Sequence, residues 1–350
     1  VNVFPYNRND ANRKCREEQW TSTSRTDDMA KRQAGATVVW RFPTAERDMC
    51  VRSKSLYDGG PIGPWEIAMA FEELLQVLIL AVVQGIAEFL PISSTGHLVV
   101  LGKLFKSWFG HDRENVILTV TLHVGTLASL LVVYRRDLWG IWRKPRLCLA
   151  IVLATIPAAV LGIAFKDLVE WTFEEPLVVA CGWLVTAGFL WSAQKFGSNA
   201  RPLEELTLID ALVVGCFQAV SALFRGVSRS GSTISAGLYM GLRRDAAASF
   251  SFLIAIPVTA GAALVKAAPL IKLAIQGPAA EGETFATYLG GYSPLALLLG
   301  ALTSFVVGLV SLRWLIRIIA QRGLNWFVVY CLVASALTFA WQGYVFFAGK

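Results

Sequence analysis

The chain has 350 residues, 55% of them hydrophobic and only 16% charged, with a mean hydropathy of +0.53, whereas soluble domains carry about a quarter charged residues. That excludes a soluble globular enzyme, and 29 scattered Gly and 13 Pro without a heptad charge pattern exclude collagen, wholesale disorder and coiled coil. The net charge of +7 falls mainly in short gaps between apolar runs, which argues for membrane loops and against nucleic acid as a partner.

Charged residues fill 20 of the first 68 positions and 37 of the following 282. Residues 1–68 show neither helical nor strand periodicity and no signal-peptide core. They are expected to be a disordered extension or an over-long gene start, since Met69 stands directly before the first apolar run. The cysteines, Cys15, Cys50, Cys148, Cys181, Cys216 and Cys331, lack paired spacing and read as small packing residues.

A hydrocarbon core about 30 Å thick takes roughly 20 apolar residues to cross. The first apolar run, 70–90, stops at Pro91 and is followed by Ile92-Ser93-Ser94-Thr95-Gly96-His97 and a short stretch to Phe105. Uninterrupted spans are predicted at about 115–134, 147–165 and 176–193. The run at 207–224 stops at Arg225-Gly226-Val227-Ser228-Arg229-Ser230-Gly231-Ser232-Thr233 and resumes briefly to Leu242; further spans are predicted at 246–266, 293–312 and 325–347. Both interrupted runs read as helix, polar break and half-helix.

Cytoplasmic loops are enriched in Lys and Arg. Arg135, Arg136, Arg143, Lys144 and Arg146 therefore place one loop inside, as do Arg243 with Arg244, and Arg313, Arg317 and Arg322. Asp167, Glu170, Glu174 and Glu175 suit the outside. Followed through, these signs give 207–242 both ends inside and make it re-entrant. If 70–105 is re-entrant too, it enters from the outside and both termini are external. The expected fold is thus an all-α polytopic membrane protein with an inverted-topology repeat, 69–206 and 207–350, each half a broken re-entrant hairpin plus three transmembrane helices. Gln84 and Gln218 occupy matching places before the two breaks.

Ionisable groups within spans are costly and point to function. Here they gather at the breaks as Glu88, His97 and Arg229. Gln84 and Glu88 share a helix face at i and i+4, and Ser94 and His97 do so at i and i+3. Hydroxyls, glycines, two helix N-termini and an arginine suit a diphosphate. Ser94 beside His97 reads as nucleophile and base, while Glu88 could orient His97, take a proton or hold a divalent cation. Ser93, Thr95, Gly96, Ser228, Ser230, Gly231, Thr233 and Gln84 are the candidate substrate contacts. The bland alternatives are packing kinks at the breaks and a structural Arg229–Glu88 ion pair. His123 reads as a hydrogen-bonded core group, His111 as a loop residue, and Gln218 as either packing or site lining. Trp139, Trp142, Trp314 and Trp326 fit the interfacial belt.

The segments Gln84-Gly-Ile-Ala-Glu88-Phe-Leu-Pro-Ile-Ser93-Ser94-Thr95-Gly96-His97 and Gly226-Val227-Ser228-Arg229-Ser230-Gly231-Ser232-Thr233 resemble the two signature motifs of the bacterial undecaprenyl-diphosphate phosphatases, also called the bacitracin-resistance proteins. The resemblance spans roughly Met69 to Phe347. It implies removal of the terminal phosphate from undecaprenyl diphosphate, recycling a lipid carrier for peptidoglycan synthesis, at a site open to the external side of the plasma membrane and helped by Mg²⁺ or Ca²⁺. It carries catalytic roles to Glu88, Ser94, His97 and Arg229, with Glu88 as the metal candidate. Two positions depart from the pattern: Gln84 stands where Glu is common, and Arg225 where the second motif usually has Pro. An undecaprenyl-phosphate flippase using the same head-group site is the competing expectation, membrane lipids are the expected surroundings, and a homodimer is left open.

Overall fold

The computed structural model describes residues 64–109, 116–172, 175–197, 200–276, 289 and 291–348. The charged leader up to residue 63, with Cys15 and Cys50, and the loop carrying His111 lie outside the described residues. The described residues are helical, apart from short connections and an isolated parallel bridge between Arg201 and Leu242.

The first helix, α1 (Pro64–Ala87), stops where proline chemistry requires it to stop. The ring of Pro91 excludes a helical carbonyl four residues earlier, at Ala87. A tight turn follows, with the Ile92 amide donating to the Leu90 carbonyl at 2.7 Å and Ser93 in the left-handed region at φ 64°. The chain then enters α2 (Ser94–Phe109). The apolar α3 (Val116–Val133) continues into α4 (Arg135–Gly140) through a 65° bend. Next come α5 (Pro145–Ala164), α6 (Lys166–Thr172) and α7 (Pro176–Phe196); proline in the first turns of α5 and α7 sits where its missing N–H costs nothing.

The second half opens with α8 (Leu208–Leu223), started by a capping box between Thr207 and Asp210. A break at Phe224–Ser228 leads to α9 (Arg229–Tyr239), capped by Ser228, whose hydroxyl accepts the Gly231 amide at 3.1 Å. Three long helices complete the chain, α10 (Arg244–Gln276), α11 (Pro294–Arg322) and α12 (Asn325–Ala348).

The chain is thus a multi-pass, all-α membrane protein. Helices long and apolar enough to cross a bilayer cover Ile67–Ala87, Pro145–Ala164, Pro176–Phe196, Arg244–Ala268, Pro294–Ile319 and Asn325–Ala348, and α3 joins them if its bent continuation is counted. Two details depart from the sequence expectation. The loops after 134 and 165 contain α4 and α6, and α10 and α11 run beyond the predicted 266 and 312. Polar side chains that lose water in such a bundle bond to backbone carbonyls across helices. Ser129 reaches Phe305 O at 2.7 Å and Ser304 reaches Leu122 O at 2.8 Å, which locks α3 to α11; Ser335 reaches Ala180 O at 2.8 Å and locks α12 to α7. Phe89, Phe250, Phe252, Leu130 and Ile254 pack in the core beside the breaks, while Leu, Val and Ile on outer helix faces stay exposed for lipid.

Candidate active site

Non-helical backbone at membrane depth needs every carbonyl and amide satisfied by protein or a wet cavity. At the first break Leu90 O accepts from Ser230 Oγ at 3.0 Å, Pro91 O from Cys331 Sγ at 3.7 Å and Ile92 O from Trp183 Nε1 at 2.7 Å. At the second, the Ser228 amide donates to Thr186 Oγ1 at 2.9 Å. Gly226 adopts φ +85°, and a Cβ there would lie 2.1 Å from Val179 O. A Cβ on Gly96 would meet Gly226 Cα at 3.2 Å, so the two breaks touch through glycines.

This scaffold brings Glu88, from the end of α1, against residues of both breaks. Its Oε1 accepts from Arg229 Nη2 at 2.8 Å. Its Oε2 accepts from Ser94 Oγ at 2.6 Å and Gln84 Nε2 at 2.9 Å. The ring of His123 also faces it, with Nε2 3.5 Å from Oε2. The Glu88 side chain is 8% exposed and Arg229 16%, so this ion pair sits in a poorly solvated place where charge interactions are strong. Arg229 Nη1 has no partner among the described residues.

Glu88, Ser94 and Arg229 line a cavity of about 240 Å³ together with Ser93, Thr95 and Ser228. The other expected contacts stand behind its wall. Ser230 serves Leu90 O, the Gly231 amide serves the Ser228 cap, and Thr233 Oγ1 bonds Ser251 Oγ at 2.6 Å. Gly96 provides the close approach between breaks, and Gln84 holds Glu88. Each therefore builds the frame in this structure instead of facing the cavity.

The expected pairing of Ser94 with His97 is replaced by another arrangement. Ser94 Oγ donates its hydrogen bond to Glu88, whereas His97 bonds Ser93 O through Nδ1 at 2.7 Å and Tyr330 Oη through Nε2 at 2.6 Å. A carbonyl only accepts, so Nδ1 carries hydrogen and the neutral ring accepts from Tyr330. The ring also stacks on Tyr330 and meets Trp183 edge-on. The physical reason is reach: a helix places i and i+3 on one face, but Ser94 is the first residue of α2 and points back across the break to the carboxylate.

Sequence reasoning undervalued His123. Its Nδ1 does bond Thr119 O at 2.7 Å, as a core group would, but its other nitrogen faces Glu88 and its side chain lines the cavity. The signal was present, because an ionisable residue within a span is a site candidate. Arg225, the cation that the sequence puts beside the second break, also lines the cavity, as does Lys266, which was not placed there from sequence.

Residues 77–337 match the family model described as bacitracin resistance protein BacA. Relatives named undecaprenyl-diphosphatase include one from Rhodopirellula baltica, 41% identical over 267 residues, covering 76% of this chain and 97% of the relative. Others come from Corynebacterium efficiens, 38% identical with coverages of 77% and 92%, and Thermodesulfovibrio yellowstonii, 38% identical with coverages of 74% and 93%. With both breaks inside the matched region and a carboxylate joining them, the chain belongs to the bacitracin resistance protein BacA family.

Proposed function

We propose that this chain hydrolyses undecaprenyl diphosphate to undecaprenyl phosphate and inorganic phosphate, recycling the lipid carrier and so conferring bacitracin resistance. The observation that carries the reading is the Glu88 bridge, one carboxylate accepting Ser94 from the first break and Arg229 from the second. Glu88 is placed to take the Ser94 proton as Oγ attacks the terminal phosphorus. The bond to the bridging oxygen breaks, and undecaprenyl phosphate leaves with the proton passed on from Glu88. Arg229 Nη1 and the N-terminus of α9 are donors for the phosphoryl oxygens. His97 acts on the turn: its bond to Ser93 O holds the left-handed residue that presents Ser94.

Among the described residues no three His, Cys, Asp or Glu side chains form a cage for a metal. The Glu88 carboxylate, which lines the cavity, nevertheless suits Mg²⁺ or Ca²⁺ completed by diphosphate oxygens. Glu88 would hold the ion, which when bound neutralises charge on the diphosphate.

The cavity walls come from the first turns of α3, at Thr119, Val120 and His123, and the far half of α10, from Val258 to Lys266. Those ends are remote in sequence from the basic loops at 135–146 and 243–244, which supports opening to the external face of the plasma membrane. Labelling of Thr259→Cys by an impermeant maleimide on intact cells fits this orientation, and labelling only after lysis reverses it.

Phosphate release from undecaprenyl or farnesyl diphosphate by purified protein tests the activity. Release by the wild type and its loss in Arg229→Ala are expected. Head-group translocation in proteoliposomes without phosphate release would favour the flippase reading instead.

A further inference from the structure

Gln218 lies on α8 and is 1% exposed. Its Nε2 donates to Ala154 O at 3.1 Å, and since a carbonyl only accepts, this bond fixes which way the amide points. Oε1 is therefore the remaining end, buried and without a partner among the described residues. One turn along the same face, Ser221 gives its hydroxyl proton to Gln218 O at 2.7 Å, which leaves its oxygen as an acceptor. Both side chains line the cavity that holds Glu88, Ser94 and Arg229.

At these two positions the cavity wall thus offers acceptors, while Arg225, just beyond α8, brings a cation to the same cavity. An ionised diphosphate is itself an array of acceptors and cannot satisfy the Gln218 and Ser221 oxygens. A water molecule, with two protons and a lone pair free to attack, can.

We propose that Gln218 and Ser221 hold the water that completes hydrolysis. The inference rests on the phosphatase reading and on attack by Ser94. The oxygen of that water bonds to the phosphorus of phosphorylated Ser94, and the bond from phosphorus to Oγ breaks with its electron pair going to Oγ. One water proton stays on the released phosphate, and the other restores the Ser94 hydroxyl by way of Glu88. Gln218 is a positioning residue for the second half of the reaction and is dispensable for the first.

The test uses purified full-length protein with farnesyl diphosphate in buffer containing methanol, which competes with water and yields methyl phosphate. In Gln218→Met and Ser221→Ala, kcat is expected to fall by about tenfold and by a few-fold, with KM within about twofold of wild type. The ratio of methyl phosphate to phosphate should rise at least about threefold, because methanol needs only one acceptor. Phosphorylated Ser94 should accumulate in acid-quenched samples of the Gln218 variant. The product ratio is unaffected by the fraction of molecules that folds, so reduced yield of a variant does not disturb it. A ratio equal to that of wild type in both variants, or a loss confined to KM, overturns the proposal. Absence of phosphate release in the wild type would instead overturn the phosphatase reading itself.

Discussion

The two breaks solve one problem by different chemistry. The first is made by a proline, carries a non-glycine residue at positive φ and supplies Glu88 and Ser94. The second is made by a glycine that admits no side chain, and supplies a capped helix of which Ser230 to Leu238 are buried. The matching glutamines diverge in the same way: Gln84 is turned to Glu88 behind the cavity wall, while Gln218 lines the cavity. In the proposed mechanism the difference separates Ser94 and Glu88, which would react, from the frame that would receive the phosphate. A site built from two dissimilar breaks therefore concentrates strain in one and rigidity in the other.

Substitutions can break or sharpen that contrast. The largest expected effect is Ser94→Ala, which should lower phosphate release by about 10³-fold while leaving the thermal unfolding temperature in detergent unchanged, since Glu88 keeps Arg229 and Gln84. A comparable unfolding loss would mean that Ser94 is structural. Arg229→Ala should cost about 10²-fold or more in turnover and also destabilise, because it leaves Glu88 buried and unpaired; Arg229→Lys should recover stability better than activity, since lysine lacks the planar fork. Gly226→Ala should destabilise by about 2 kcal/mol or more through its positive φ and the Val179 carbonyl; a wild-type unfolding temperature would contradict the second break as a rigid frame. His97→Ala should reduce turnover about tenfold through the Ser93 turn. If His97 were instead the base for Ser94, the loss would match that of Ser94→Ala. The smallest effect on turnover is expected for Thr186→Val, which leaves the buried Ser228 amide unpaired and loses the bond to Gly226 O, at about 1–3 kcal/mol, read as a lower unfolding temperature with the KM for farnesyl diphosphate unchanged.

Much of this was legible in the sequence, for reasons that differ by element. Pro91 and the polar run after it marked the first break because proline forbids a helical carbonyl at Ala87. Glu88 and Arg229 stood out because charge inside an apolar run is expensive. The inverted repeat was read from loop charges and remains a proposal that labelling at opposite loops can test. What the sequence did not carry was direction. Spacing put Ser94 and His97 on one face, but could not say that Ser94 opens its helix and turns back to Glu88. Nor could it say that Tyr330, far along the chain in α12, takes the other nitrogen of His97. His123 was hidden because one of its nitrogens does what a packing histidine does, and it is the other that faces Glu88.

Helix α7 touches both breaks. Trp183 bonds Ile92 O, Thr186 receives the Ser228 amide, and a Cβ on Gly182 would meet Arg225 O at 2.4 Å. Ser94 and Arg229, one at each break, are thereby set against one common jig. Any displacement of α7 would therefore carry both breaks with it, so that one helix fixes the spacing between them.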